Sequence, residues 1–153
     1  VGHEAAFIDA FTMWMIRNPE WFDVVVTTNM FGDIATDLGS VLQGGMGMAA
    51  SGNIGDEHGL FEPVHGSSPK HAGKGVVNPI ATLNSVQLML EWLGMQRDDA
   101  DALAAADIIE QAITAQLLSA EELTYDLGGT ASTSQVGDSI VARVRTLLAE
   151  HYS

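Results

Sequence analysis

The chain has 153 residues, 46% of them hydrophobic, with 20 acids against 6 Lys plus Arg, a net charge of −14 and no cysteine. That length and apolar content support a domain-sized core and exclude a disordered chain, while the absent thiols exclude disulfides and thiolate chemistry. The acidity argues against nucleic acid and anionic membrane as partners, no apolar run has the length of a membrane span, and nothing reads as a leader, so the expected location is cytoplasmic.

Residues 3–17 carry Phe7, Ile8, Phe11, Met15 and Ile16 at helical spacing, and Asn18-Pro19 should stop that helix. Asp23 to Thr27 holds three consecutive valines and reads as a short buried parallel strand. A helix is expected from Asp33 to Leu42, after a turn at Gly32. A Gly-rich loop or irregular strand to Gly55 follows, then a short strand from Leu60 to Val64. Pro79 suits a first helical position, and the apolar run Ile80 to Leu93 ends at Gly94 as a buried helix would. Asp98–Asp101 open an Ala-rich helix to Leu118, and Ser132 with Gln135 has capping-box spacing before a last helix. The helix methionines and tryptophans, Trp14 and Trp92 among them, are read as core. Together these elements predict an α/β fold, with helices around a short mixed sheet. No G-x-G-x-x-G occurs, so a Rossmann dinucleotide site has no support.

Two places carry chemistry. Asp33 and Asp37 lie four residues apart, about one helical turn, so both carboxylates project from one face. A carboxylate pair on a rigid helix suits a hard cation such as Mg²⁺ or Mn²⁺. The plain alternative is a solvated acidic helix start, favoured by the helix dipole. The stretch from His65 to Asn78 contains both lysines, Lys70 and Lys74, two of the five histidines, and no acid. On so acidic a chain this Gly- and Ser-bearing cluster points to an anion-binding loop, against the alternative of an ordinary surface loop.

The order of residues from Asn29 to Met48, with Phe31, Gly32, Asp33, Asp37 and the loop Gly44–Gly47, resembles the signature segment of the isocitrate and isopropylmalate dehydrogenase family. Phe7-Ile8-Asp9-Ala10, Phe61-Glu62-Pro63-Val64-His65-Gly66-Ser67 and Asp126-Leu127-Gly128-Gly129 followed by Ser132-Thr133 resemble further family segments. The resemblance runs through nearly the whole chain and implies a partial isopropylmalate dehydrogenase-like fold. Residues 1–43 would belong to a substrate and dimerisation domain and 44–153 to a cofactor domain. It implies a divalent metal held by Asp33 and Asp37 of one subunit and Asp9 of the other, in a homodimer. It also implies NAD or NADP contacts from His65, Gly66, Ser67, Ser68, Lys70 and His71, then from Ala72, Gly73, Val77 and Asn78, with Asp126 closing over adenine. The implied reaction is oxidative decarboxylation of a 2-hydroxy acid, with isopropylmalate favoured over isocitrate, tartrate or malate, and homoisocitrate.

Two departures qualify the resemblance. Lys70-His71 replaces the acid usual in NAD-preferring members and adds donors for a 2′-phosphate, which tilts the expectation to NADP. The family is about twice this length or more. Its substrate-clamping arginines and its proton-transferring tyrosine and lysine have no counterpart here, so no catalytic residue is expected within the chain. By itself the chain should be inactive. The alternatives are a non-catalytic dinucleotide- and metal-binding module from a truncated paralogue, and a simple cation binder.

Overall fold

The computed structural model describes residues 2–151. They form two compact units divided between Gly45 and Met46.

In the first unit, α1 spans Ile8–Arg17 and stops at Asn18, where the following proline cannot continue a helix. The helix expected from residue 3 starts at Ile8, because Phe7 is extended (ψ 146) and no side chain caps earlier amides. Phe11 is buried and meets Phe22 edge-on at 5.0 Å. Trp14, expected in the core, is instead 36% exposed beside Trp21. Met13 is likewise exposed, on the side of α1 away from Phe11.

The run Asp23–Thr27 overturns its expectation. It forms no strand, and Val24, Val25 and Val26 are 85%, 46% and 94% exposed. Valine run and β-propensity make a strand only where a neighbouring strand takes up the backbone groups, and none does so among the described residues. Helix α2 spans Asn29–Ser40, starting four residues before the expected Asp33. Gly32, expected in a turn, is helical, donating to Thr28 O at 2.8 Å. A Cβ on Gly32 would sit 3.3 Å from the Thr27 methyl, so glycine permits the preceding chain to lie close. After α2 a 3-10 turn, Val41–Gln43, ends at Gly44 with φ 101.

The second unit begins with an antiparallel hairpin, β1 (Ala50–Ile54) paired with β2 (Gly59–Pro63) in the register Ala50↔Pro63 to Ile54↔Gly59. The sheet is this one antiparallel pair among the described residues; the only run read as parallel, Asp23–Thr27, contributes no strand to make it mixed. Three helices follow: α3 (Ile80–Arg97), α4 (Ala100–Ser119) and α5 (Thr133–His151). The hairpin packs on α3, α3 on α4, and α4 on α5. Met48, Ile80, Ala112, Ile113, Val136 and Ile140 form the core, with Leu83, Ile109, Leu117 and Val144 against it. This is an α/β architecture in which the core of the second unit comes mainly from its three helices, with the hairpin packed on α3.

Local signals explain these boundaries. Pro79 stands just before α3 rather than inside it, while the Asn78 side chain accepts from Ile80 N at 3.0 Å. Gly94, expected to end α3, is buried within it, and the helix runs on to Asp98 in the left-handed region (φ 53). Asp99 then caps α4, accepting from Asp101 N and Ala102 N at 3.1 Å each. The capping box forms as expected: Ser132 N donates to Gln135 Oε1 at 2.8 Å and Gln135 N to Ser132 Oγ at 3.2 Å.

Gln116 of α4 is fully buried between α4 and α5. Its oxygen accepts from Ser139 Oγ and Arg143 Nε, while its amide donates to the carbonyls of Glu121 and Glu122. Those bonds anchor a turn in which Ala120 (φ 53) and Glu122 (φ 47) hold left-handed conformations unfavourable to side-chain-bearing residues.

Candidate functional site

Asp33 and Asp37 both lie within α2 and are exposed, one turn apart on the same face. Asn29, a turn earlier, directs its amide at Asp33 Oδ2 at 3.5 Å. Thr36 and Ser40 hydroxyls bond back to the carbonyls of Asp33 and Asp37, at 3.1 and 2.7 Å, and so leave the carboxylates themselves to other partners. Asp9, in the first turn of α1, accepts from Ala10 N at 2.8 Å. Among the described residues no three His, Cys, Asp or Glu side chains come close enough to hold a metal together. The chain therefore brings Asp33 and Asp37 together and does not add Asp9 to them.

In the second unit the loop after β2 is built from short turns. His65 Nδ1 pairs with the Gly66 carbonyl at 2.9 Å, and since a carbonyl only accepts, Nδ1 is the donor of that pair. Ser68 takes a left-handed conformation (φ 44) that turns the chain into the 3-10 turn Pro69–His71. Its hydroxyl meets His71 Nδ1 at 2.8 Å, and His71 N bonds to Ser68 O at 2.9 Å. Lys70 is exposed on this turn, next to His71. Gly73 and Gly75 have positive φ, which lets the loop double back with little steric cost.

The end of the loop is tied down from far along the chain. Thr133 N donates to Gly75 O at 2.8 Å and Thr133 Oγ1 to Val77 O at 2.5 Å. The Tyr125 ring stacks on His71 with centroids 6.0 Å apart, and its hydroxyl lies 3.4 Å from His71 Nε2. Asn78 is 7% exposed and its amide donates to Asp126 Oδ2 at 3.0 Å. That carboxylate rests against Gly47, where a Cβ would come within 2.8 Å of Asp126 Oδ2. Ala81 N donates to Gly47 O at 2.9 Å, so the Gly-rich loop is pinned at the start of α3.

Residues 65–78 and Asp126, read from separate stretches of sequence, thus converge at one end of the second unit. Sequence reasoning passed over Tyr125, Thr124 and Gly47 as members of this cluster. The only local signal was the spacing of Thr124 and Asp126, two residues apart, which permits a hydroxyl-to-carboxylate bond.

Residues 1–140 match the family model of isocitrate/isopropylmalate dehydrogenase. The chain belongs to that family. Over 142 residues it is 48% identical to the 3-isopropylmalate/3-methylmalate dehydrogenase of Methanocaldococcus jannaschii, covering 93% of this chain and 40% of that protein. It is 45% identical to the homoisocitrate dehydrogenase of the same organism, covering 92% of this chain and 38% of that one. The crystal structure of isocitrate dehydrogenase from Methylococcus capsulatus superposes with a TM-score of 0.80 at 43% identity, over 90% of this chain and 39% of its own. The architecture is accordingly a part of the isocitrate/isopropylmalate dehydrogenase fold. The chain spans about two-fifths of the length of the curated relatives it matches.

Proposed function

We propose that this chain is part of a metal-dependent, NAD(P)-linked oxidative decarboxylase of a 2-hydroxy acid. The first substrate to test is 3-isopropylmalate, with isocitrate, homoisocitrate, and tartrate or malate behind it. The observation that carries the reading is the convergence of the acid-free loop 65–78, which holds both lysines, upon Asp126 and Tyr125. In this reading residues 1–43 serve the substrate and dimer contacts and residues 44–153 hold the dinucleotide.

Asp33 and Asp37 fit a hard divalent ion: both are carboxylates, exposed and on one helix face. Asp9 of a second copy is the proposed third ligand. A divalent cation bound there supplies a Lewis acid that stabilises oxyanion character on the substrate. Asn29 orients the Asp33 carboxylate toward that role. In the loop, the His65 imidazole and the backbone around the glycines offer partners to the adenosine end of the dinucleotide. Lys70 and His71 offer donors to a 2′-phosphate, which favours NADP. Proton transfer and carboxylate clamping are assigned to residues outside this chain, so the 153 residues by themselves are proposed to be inactive.

Asp33→Asn in the full-length polypeptide is expected to abolish Mg²⁺-dependent dinucleotide reduction with the far-ultraviolet circular dichroism unchanged. Turnover retained at the parent level would overturn the metal assignment.

A competing reading is a module that binds dinucleotide without catalysis. It is favoured by the fact that the second unit holds its own core and the whole 65–78 and 126 cluster. Full-length polypeptide that binds dinucleotide yet oxidises none of the 2-hydroxy acids would decide for it.

A further inference from the structure

We infer that Thr124 is a positioning residue for the dinucleotide site, an inference that rests on reading residues 65–78 and Asp126 as that site. Thr124 is fully buried, although it sits in a turn between α4 and α5. Its hydroxyl donates to Asp126 Oδ1 at 2.5 Å, the other oxygen of the carboxylate that receives the Asn78 amide. Its carbonyl accepts from Leu127 N and Gly129 N, at 3.1 and 3.0 Å, so the backbone on both sides of Asp126 is folded around Thr124.

The consequence lies in how completely Asn78 is used. Its oxygen accepts from Ile80 N, and its amide faces both Asp126 Oδ2 at 3.0 Å and the Met48 sulfur at 3.6 Å. An amide group has two N–H donors, and both point into the protein here. Asn78 therefore fixes the segment where the loop meets α3, and it can do so only while the Asp126 carboxylate keeps its orientation. Gly47, lacking a Cβ, leaves room for Oδ2 in that orientation, and the Thr124 hydroxyl holds it there by supplying a donor to the far oxygen. Without that hydroxyl, Oδ1 loses its buried donor and the carboxylate is free to turn toward solvent, releasing Asn78. The dinucleotide then has to order a loop that the parent chain presents ready-formed, and affinity falls.

Thr124→Val keeps the shape and removes the donor; Thr124→Ser keeps the donor. Calorimetric titration of the chain with NADP⁺ and with NAD⁺ is expected to show affinity for the better dinucleotide weakened about tenfold in Thr124→Val and within about twofold of the parent in Thr124→Ser. The Asn78 side-chain amide signals in NMR spectra should shift in Thr124→Val before any dinucleotide is added. If Thr124→Val does not fold, Thr124→Ala replaces it in the same comparison with Thr124→Ser. Equal affinity in the hydroxyl-free and parent chains, with only the thermal midpoint lowered, would overturn the inference and leave the dinucleotide site standing. A parent chain that binds neither dinucleotide overturns the reading of the site, and the inference with it.

Discussion

Lys70 stands exposed on a turn whose geometry is set by its neighbours: Ser68 supplies the left-handed entry and the hydroxyl for His71, and Tyr125 stacks on the imidazole. A cation held beside a fixed ring is a good receptor for a phosphate and an indifferent one for ribose hydroxyls. Replacing it by an acid should move the balance toward NAD⁺. Lys70→Asp in the full-length polypeptide is expected to lower the ratio of NADP⁺ to NAD⁺ affinity by about tenfold, as for loss of one charge-assisted hydrogen bond. An unchanged ratio, with NAD⁺ preferred throughout, would remove the case for NADP. The candidate cluster was legible in part, the run 65–78 from its residue types and Asp126 from the family resemblance of the run 126–133. Gly47 and Thr124 were not legible. Their importance comes from contacts with Asp126 and Asn78 that depend on the folded path, and neither residue type advertises chemistry.

The helices divide in the same way according to where their information resides. Ser132 and Gln135 fix the start of α5 by bonds spanning three residues, so spacing alone revealed them. Gly94 was misread as a helix stop because a glycine near a helix end usually is one. Its reason is tertiary: a Cβ there would meet Leu103 Cγ at 2.7 Å and Asp99 O at 3.1 Å, so glycine lets the end of α3 lie against the start of α4. Gly94→Ala raises intrinsic helix propensity, yet overpacking opposes it. We expect a net loss of about 1–3 kcal/mol in unfolding free energy, measured by urea denaturation. A gain in stability would show that Leu103 moves aside freely. Asp23–Thr27 failed for a related reason, since a strand is a property of a pair and the chain's own described residues offer it no partner.

At the scale of the molecule the two units differ in how well they cover their apolar residues. The second has a closed core around Ile80, Ile113 and Ile140. The first has a groove of about 630 Å³ lined by Phe7, Phe11, Phe22, Val24, Val26 and Phe31 among others, most of them exposed. So much uncovered apolar surface around one short segment favours association. The chain is expected to dimerise at micromolar concentration by light scattering, and Val24→Lys with Val26→Lys should shift it toward monomer; a parent chain that stays monomeric counts against this. The tryptophans are partitioned in a useful way between these two units. Trp14 and Trp21 lie together in the first, while Trp92 alone serves the second, tilted against Phe61 at 5.9 Å with its indole nitrogen shut away from water and paired with nothing among the described residues. With Trp14 and Trp21 replaced by phenylalanine, the chain would carry a single fluorophore at the seam between hairpin and helix. Its emission colour would then report whether the second unit is intact while the first unfolds, associates or is covered.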